Sequence, residues 1–310
     1  MSVQARMLGL SLRMTVRPFI AVWSRAPGLP WPYALADLGG LMTVPVKGTS
    51  FVSSRSGDVR VVDVVPAKRV HGRRILYFPG GAFLVGGQHL HRGLLAHVAH
   101  KTGARITAVG YRKMPRHPIS ASVADCLDAY RAAVEKGTDD LVVMGDSAGG
   151  FLTLAVLAAA QAEGLPMPAG AVTLSPLCEV RADQRDPRRT ACAVFGPAAI
   201  PAMLRLADGI ERARGSAGYA HPHELCAPDT PPILMQAARR ESLFPEIKHL
   251  AQTLRDRGID CELQAWDLDV HVFQAAPWVP EARDAVRTVA AFCDRAWAQA
   301  RDAVRGEQIA

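Results

Sequence analysis

A serine at the junction of an apolar strand and a helix constrains this chain more than any other feature. The apolar run Leu141–Met144 leads into Gly145–Gly149 (Gly-Asp-Ser-Ala-Gly), which places Ser147 ahead of an alanine-rich helical segment, Phe151–Ala162. Small residues around the serine let the backbone turn sharply between strand and helix. Such a turn presents the serine side chain at the end of a buried strand, where the helix N-terminus adds positive potential.

The other strand patterns predict a sheet around this turn. Short apolar runs bounded by Gly, Pro or Asp are typical of strands buried on both faces. The predicted strands are Val59–Val65, Arg74–Phe78, Arg105–Val109, Leu141–Gly145, Ala171–Leu174, Ile233–Ala237 and Cys261–Trp266. Helix-length segments lie between several of them, including His89–Lys101. This alternation predicts an α/β fold with a doubly wound, mostly parallel sheet.

Two segments break the alternation and are predicted to form a helical cap. The first contains the proline-rich stretch Pro27–Pro32 and the Gly39–Gly40 pair. The second joins a charged stretch, Glu179–Arg189, to a helical piece, Pro197–Arg214. The predicted organisation is an N-terminal cap segment 1–50, a first core part 51–177, a cap insertion 178–220 and a second core part 221–310.

Composition excludes several classes of protein. The net charge of +7 comes mainly from 30 arginines, but no basic stripe with interleaved aromatic side chains is present, so nucleic acid is not an expected partner. The histidines at 89, 91, 97 and 100 have no carboxylate or cysteine among them, which favours a solvated helix face over a metal site. The six cysteines form no Cys-x-x-Cys pair, which favours free thiols in a reducing cytoplasm.

The N-terminal segment is basic and partly apolar. Residues 1–36 contain no acidic side chain and four arginines: Arg6, Arg13, Arg17 and Arg25. The apolar stretch Met7–Leu12 is too short for a signal-peptide core, and no segment reaches the roughly 18 apolar residues that a membrane span needs. Two interpretations remain open. The segment packs over the core as part of a lid, or it makes peripheral contact with an anionic membrane surface.

Two further motifs stand in the order that a serine hydrolase requires. The loop Phe78–Phe83 (Phe-Pro-Gly-Gly-Ala-Phe) follows a predicted strand ahead of Ser147. Its backbone N–H groups, with that of Ala148, can form an oxyanion hole, although a tight turn leaving the strand would look the same. His271 follows the last predicted strand, late in the chain, and stands out among ten histidines by that position.

These motifs resemble the hormone-sensitive-lipase branch of the α/β-hydrolases, a family of carboxylesterases and lipases. The likeness runs from about residue 73 to residue 274. Phe78–Phe83 is similar to the His-Gly-Gly-Gly loop of the branch, and Tyr111–Pro118 to its Tyr-Arg-x-x-Pro-x-His-Pro segment. Gly145–Gly150 matches its nucleophile signature, Gly-Asp-Ser-Ala-Gly-Gly. The resemblance implies an eight-stranded sheet under a two-part cap, with Ser147 and His271 as catalytic residues.

The Gly-rich loop departs from the family pattern at two positions. Pro79 stands where the family has histidine, and Ala82 stands where it has the third glycine. The resemblance implies an oxyanion hole formed by Gly80, Gly81, Ala82 and Ala148, with Gly81 and Ala82 at the family's donor positions. Alanine keeps its N–H but tolerates a positive φ poorly, so a less favourable geometry is expected.

The catalytic acid also departs from the family. The family has an aspartate two residues before a leucine, and here Glu241-Ser242-Leu243 supplies the match. A glutamate carboxylate can accept the Nδ1–H of a histidine and stabilise the imidazolium. We therefore predict Glu241 as the acid. Four other carboxylates remain candidates: Asp229, Glu246, Asp267 and Asp269.

The expected activity is that of a serine carboxylesterase or lipase acting on short- to medium-chain esters through an acyl-enzyme, with no metal and no cofactor. The expected partner is a small-molecule or lipid ester, and the oligomeric state stays open. Two alternatives remain. One is an amide or lactone hydrolase that uses the same three residues, and the other is a ligand-binding protein that has lost catalysis.

Overall fold

The computed structural model describes residues 1–38, 46–86, 89–138, 140–181, 191–216 and 218–307. Within these ranges the chain forms an eight-stranded sheet with helices on both faces. The Gly39–Gly40 pair and most of the charged stretch Glu179–Arg189 lie outside the described residues. The predicted boundaries of the cap segments therefore stay predictions.

The sheet is mostly parallel, as predicted. Its strands are β1 (Ser50–Ser56), β2 (Val59–Val65), β3 (Arg74–Phe78), β4 (Arg105–Gly110), β5 (Leu141–Asp146), β6 (Gly170–Leu174), β7 (Ile233–Ala238) and β8 (Cys261–Trp266). They lie in the order β1-β2-β4-β3-β5-β6-β7-β8. β2 runs antiparallel to β1 and β4, whereas every pairing from β4 to β8 is parallel. Each of the seven predicted strands is present, with at most one residue of difference at either end.

β1 is the strand that the sequence did not predict. It contains four serines and an arginine, lies at the edge of the sheet and is largely exposed. It pairs with β2 across the two-residue turn Gly57–Asp58, where Gly57 has a φ of +56°. An edge strand with one neighbour does not need an apolar sequence, so hydrophobic periodicity did not reveal it. The two-residue turn Gly57–Asp58, which is typical of a β-hairpin, was the sequence feature that could have indicated β1.

Nine α-helices are present in the described residues, and no helix there is long and apolar enough to reach across a bilayer. They are α1 (Val3–Met14), α2 (Val16–Trp23), α3 (Tyr33–Leu38), α4 (Arg92–Thr102), α5 (Ile119–Val134), α6 (Ala148–Ala162), α7 (Ala199–Arg214), α8 (Phe244–Asp256) and α9 (Pro280–Glu307). The three predicted helical segments correspond to α4, α6 and α7. α4 begins three residues later than predicted because the segment from His89 to His91 forms a turn.

Side chains of the central strands alternate between two cores, one on each face of the sheet. In β3, Leu76 and Phe78 point into a core shared with α5, α6 and α8, whereas Ile75 and Tyr77 point into a core shared with α4 and α9. This period of two explains why the strand sequences are apolar throughout. α6 is almost entirely buried, which explains why its sequence is apolar all round rather than on one stripe.

The N-terminal helices pack on the core beside the C-terminal ends of the strands. Ser2 caps α1 by accepting the N–H of Ala5, and its own hydroxyl donates to Glu281 at the start of α9 at 2.7 Å. At the other end of α1, Arg13 forms an ion pair with Asp269 at 2.6 Å. α2 packs against α7. Both ends of α1 are thus fixed to parts of the chain that lie more than 250 residues away.

The first turn of α6 lies so close to the end of β3 that only glycine fits there. A Cβ atom on Gly149 would lie 1.8 Å from the carbonyl oxygen of Phe78. Gly209 in α7 is also helical, but a Cβ there would meet no atom within 4 Å.

We expect Gly149→Ala to destabilise the fold by about 3 kcal/mol or more, because backbone must move to admit the methyl group. Gly209→Ala is the matched control and should stabilise the fold by about 0.5–1 kcal/mol, as alanine has the better helix propensity. Urea unfolding followed by circular dichroism measures both changes. Wild-type stability of Gly149→Ala would contradict the close approach.

Candidate active site

The predicted nucleophile lies at a strained turn between β5 and α6. Ser147 has a φ of +52° and a ψ of −118°, a conformation that costs a residue with a side chain about 1–3 kcal/mol. Three backbone hydrogen bonds hold it there. Its N–H donates to the carbonyl of Leu174 at 2.9 Å, and its own carbonyl accepts the N–H groups of Leu177 and Phe151. The turn therefore fixes the hydroxyl at the C-terminal edge of the sheet.

Ser147, His271 and Glu241 form one line of hydrogen bonds. The Oγ of Ser147 lies 2.9 Å from Nε2 of His271, and Nδ1 of that ring lies 2.5 Å from Oε2 of Glu241. An ionised carboxylate can only accept, so Nδ1 carries the proton and Nε2 is left to accept the serine hydroxyl proton. Glu241 is fully buried, and its second oxygen accepts the N–H of Ala238 at 3.1 Å.

The loop after β8 positions His271. Val272 has a φ of +52°, and its N–H donates to the hydroxyl of Ser175 at 3.2 Å. The ring of Phe195 packs against the imidazole at a centroid distance of 4.9 Å. The backbone of Arg240, next to Glu241, donates to the carbonyl of Leu268 at 2.9 Å. These contacts link the histidine loop to the loop that carries the glutamate.

The four alternative carboxylates lie elsewhere. Asp269 pairs with Arg13 of α1, and Asp267 lies 3.2 Å from Nε of Arg240. Asp229 is exposed. Glu246 lies in the first turn of α8 and lines a separate cavity of about 650 Å³.

The Gly-rich loop after β3 has the positive φ angles that the sequence led us to expect. The φ of Gly81 is +118° and that of Ala82 is +56°. The carbonyl of Gly81 accepts the N–H groups of Leu84 and Val85, which closes the loop into a turn. Within the described ranges, the N–H groups of Gly81, Ala82 and Ala148 have no hydrogen-bond acceptor.

The prediction for Gly80 needs correction. Its N–H donates to Oδ1 of Asp146 at 2.8 Å, so its one donor is not available to an oxyanion. A Cβ on Gly80 would also lie 2.3 Å from Oδ2 of Asp146. Gly80 therefore shapes the loop. Pro79 shapes it as well, because its carbonyl accepts the hydroxyl of Tyr111 at 2.6 Å.

Asp146 is a site residue to which sequence analysis assigned no role. Besides Gly80, its carboxylate accepts the hydroxyl of Tyr77 at 2.5 Å and lies 3.2 Å from Nε2 of His91. Burial alone would raise the pKa of Asp146, but His91, Tyr77 and the Gly80 N–H stabilise the charge more, so this pKa lies below its ordinary value. Burial raises the pKa of Tyr77 well above its ordinary value, which keeps that hydroxyl a donor.

His91 differs from the solvated helix face that its neighbours suggested. It directly precedes α4, is buried and lines the cavity that also contains Ser147 and His271. Because His91 lies among several histidines, no feature of the sequence indicated that this one is buried at the cavity. Among the residues that the structure describes, no group of three or more His, Cys, Asp or Glu side chains could hold a metal ion.

A cavity of about 370 Å³ opens above Ser147 and His271. Gly81, Ala82 and Ala148 line it near the serine, and the rest of its wall is almost wholly apolar. The apolar lining comes from α2, α7 and the loops of the core: Val16, Phe19, Ile20, Trp23, Leu84, Val85, Leu90, Leu177, Val194, Phe195, Ala199, Ile200, Met203, Leu243 and Val272, with Tyr33 beside Trp23. The cavity can thus hold an apolar chain with one reactive group at the serine.

Known proteins are similar to this chain over nearly its whole length. The chain is 32% identical to esterase LipU of Mycobacterium tuberculosis over 294 residues, which is 90% of this chain and 98% of the relative. It is 29% identical to carboxylesterase/phospholipase LipF of the same organism, over 94% of this chain and 81% of the relative.

Solved structures agree in fold. A crystal structure of the protein EstE5, soaked with ethyl alcohol, superposes with a TM-score of 0.83 at 28% identity, over 96% of this chain and 100% of that one. A hormone-sensitive lipase from a metagenome library superposes with a TM-score of 0.81 at 26% identity, over 94% and 98%. Residues 75–275 match a protein family described as having the alpha/beta hydrolase fold. This chain therefore belongs to the α/β-hydrolase family, and within it to the proteins that resemble hormone-sensitive lipase.

Proposed function

We propose that this protein is a serine carboxylesterase that hydrolyses short- to medium-chain esters through an acyl-enzyme. The observation that carries the proposal is the hydrogen-bonded line from Ser147 through His271 to Glu241 at the end of an apolar cavity. Relatives named esterase, carboxylesterase/phospholipase and acetyl-hydrolase support an ester substrate.

We assign each of the three residues a role in the reaction. His271 Nε2 takes the proton of Ser147 as Oγ attacks the ester carbonyl, and the same nitrogen then returns the proton to the departing alcohol. Glu241 holds the ring in the reactive tautomer and stabilises the imidazolium that forms. A water molecule, activated in the same way, releases the acid. Every proton transfer runs through His271, and no cofactor is needed.

We assign stabilisation of the tetrahedral oxyanion to the N–H groups of Gly81, Ala82 and Ala148. All three line the cavity beside Ser147. Ala148 is also the first residue of α6, so the positive end of the helix adds to its effect. The positive φ of Ala82 places strain in the loop, because alanine tolerates that region less well than glycine.

We further propose a cytoplasmic location with peripheral contact to a membrane. The six cysteines are free thiols, five of them buried, which fits a reducing compartment. The basic N-terminal segment supports the membrane contact.

Ser147→Ala should lower kcat on p-nitrophenyl butyrate by about 10⁴–10⁶, because the hydroxyl is needed only for the chemistry. The wild-type protein should also be labelled covalently by a fluorophosphonate probe, and the mutant should not. If the folded mutant kept a tenth of the wild-type rate, the mechanism would be wrong. A wild-type protein that binds esters without labelling would instead favour a non-catalytic binding protein.

Glu241→Gln should lower kcat by about 10⁴, because the amide keeps the shape but neither fixes the tautomer nor balances the imidazolium. Glu241→Asp should be milder, since it keeps the charge and loses one methylene. Asp267→Asn is the matched control, as its carboxylate lies at the surface beside Arg240 and should leave kcat near the wild-type value. A loss in Asp267→Asn with none in Glu241→Gln would reverse the assignment.

Ala82→Gly should keep or raise kcat, because glycine adopts a φ of +56° without strain and still donates its N–H. Ala82→Val should lower kcat at least about tenfold, because a β-branched residue is strongly disfavoured at positive φ. Circular dichroism of both variants checks that the fold is intact. Loss of turnover in a folded Ala82→Gly variant would rule out this account of the oxyanion hole.

A further inference from the structure

The outer face of α1 is apolar and has no partner among the described residues. Val3, Met7, Leu10 and Met14 are between 60% and 71% exposed. Their spacing of four, three and four residues places all four on one stripe of the helix. The opposite face is occupied, because Ala5 and Gly9 are buried and Leu8 and Leu12 pack against the core. The contacts of Ser2 and Arg13 at the two ends of α1 hold the helix so that this apolar stripe faces away from the core.

The apolar surface continues from α1 onto α2. Val16, Phe19 and Val22 are also exposed. Val16 and Phe19 line the catalytic cavity as well, so the same side chains border both the outer surface and the space above Ser147. An apolar molecule held against this surface is therefore next to the entrance of the cavity. A continuous apolar surface in contact with water is typical of an interaction site.

The positive charge of residues 1–36 indicates which kind of partner this apolar surface binds. Residues 1–36 carry four arginines and no acidic residue, and among the residues that the structure describes only Arg13 forms an ion pair with the core. Arg6 lies on α1 beside the stripe and is exposed. A second copy of this chain, related by a twofold axis, would bring the same positive charges together. An anionic lipid surface instead accepts both the apolar side chains and the arginines.

We infer that α1 and α2 dock on an anionic lipid surface, with Val3, Met7, Leu10 and Met14 inserted among the lipids and the cavity entrance facing them. This inference gives a partner to the peripheral contact proposed above, and it rests on the proposed esterase function only in naming lipid esters as the substrates that enter. Docking itself requires no turnover.

The full chain carrying Ser147→Ala tests docking without hydrolysing the lipid. It is mixed with vesicles of phosphatidylcholine alone, or of equimolar phosphatidylcholine and phosphatidylglycerol, and the bound fraction is measured by co-sedimentation. We expect binding to the anionic vesicles that weakens as salt is raised. Adding Met7→Glu and Met14→Glu should weaken it about tenfold or more, because charge replaces inserted apolar side chains.

The matched control carries Val52→Glu and Val70→Glu, which make the same charge change at exposed apolar residues outside the N-terminal helices and should leave binding unchanged. With Ser147 intact, the Met7/Met14 variant should hydrolyse p-nitrophenyl acetate within about twofold of the wild-type rate, since neither methionine lines the cavity.

Equal vesicle binding by the Met7/Met14 variant would overturn docking. So would a dimer that the Met7/Met14 change dissociates, if neither the parent chain nor the variant binds vesicles. Vesicle binding that depends on the two methionines, in a chain that hydrolyses no ester, would support docking and refute the esterase proposal. Ester hydrolysis without vesicle binding would overturn docking and support the esterase proposal.

Discussion

The buried carboxylate of Asp146 connects the segments that meet at the catalytic cavity. Asp146 is the last residue of β5 and directly precedes Ser147. Its carboxylate oxygens form hydrogen bonds with the N–H of Gly80 in the loop after β3, with the hydroxyl of Tyr77 and with the ring of His91. A buried charge costs several kcal/mol unless hydrogen bonds compensate for it. The compensating groups come from three different segments, so this buried charge holds the three segments together. The relative position of the Ser147 turn and the Gly-rich loop after β3 therefore depends on this one group.

Much of the fold could be predicted because its central strands, β3, β5, β6 and β7, are buried on both faces and are therefore largely apolar. Including the less buried β2, β4 and β8, seven strands were found within a residue of their true ends. β1 lacked the pattern because it lies at the edge, where serine and arginine cause no penalty. The start of α4 was misplaced because apolar periodicity extends into the turn that contains His91.

The candidate site was predictable where one residue type is chemically required, and less so where backbone direction decides. Ser147, His271 and Glu241 were named from motif and order, and the structure places them in hydrogen-bond contact. The sequence left Asp267 and Asp269 open as acids, because only the folded loop shows that they face arginines. Gly80 was included among the donors because a glycine-rich string does not reveal which N–H points at a neighbouring carboxylate.

The attachment of α1 has a consequence for how the chain folds during synthesis. Ser2 bonds to Glu281, which is 279 residues further along the chain. Helix α1 therefore waits for its docking site until the segment that contains Glu281 has been made, whereas the sheet can assemble as its strands appear. Because α2 directly follows α1 in the chain, the cavity wall that α2 supplies is complete only once α1 has docked beside α9.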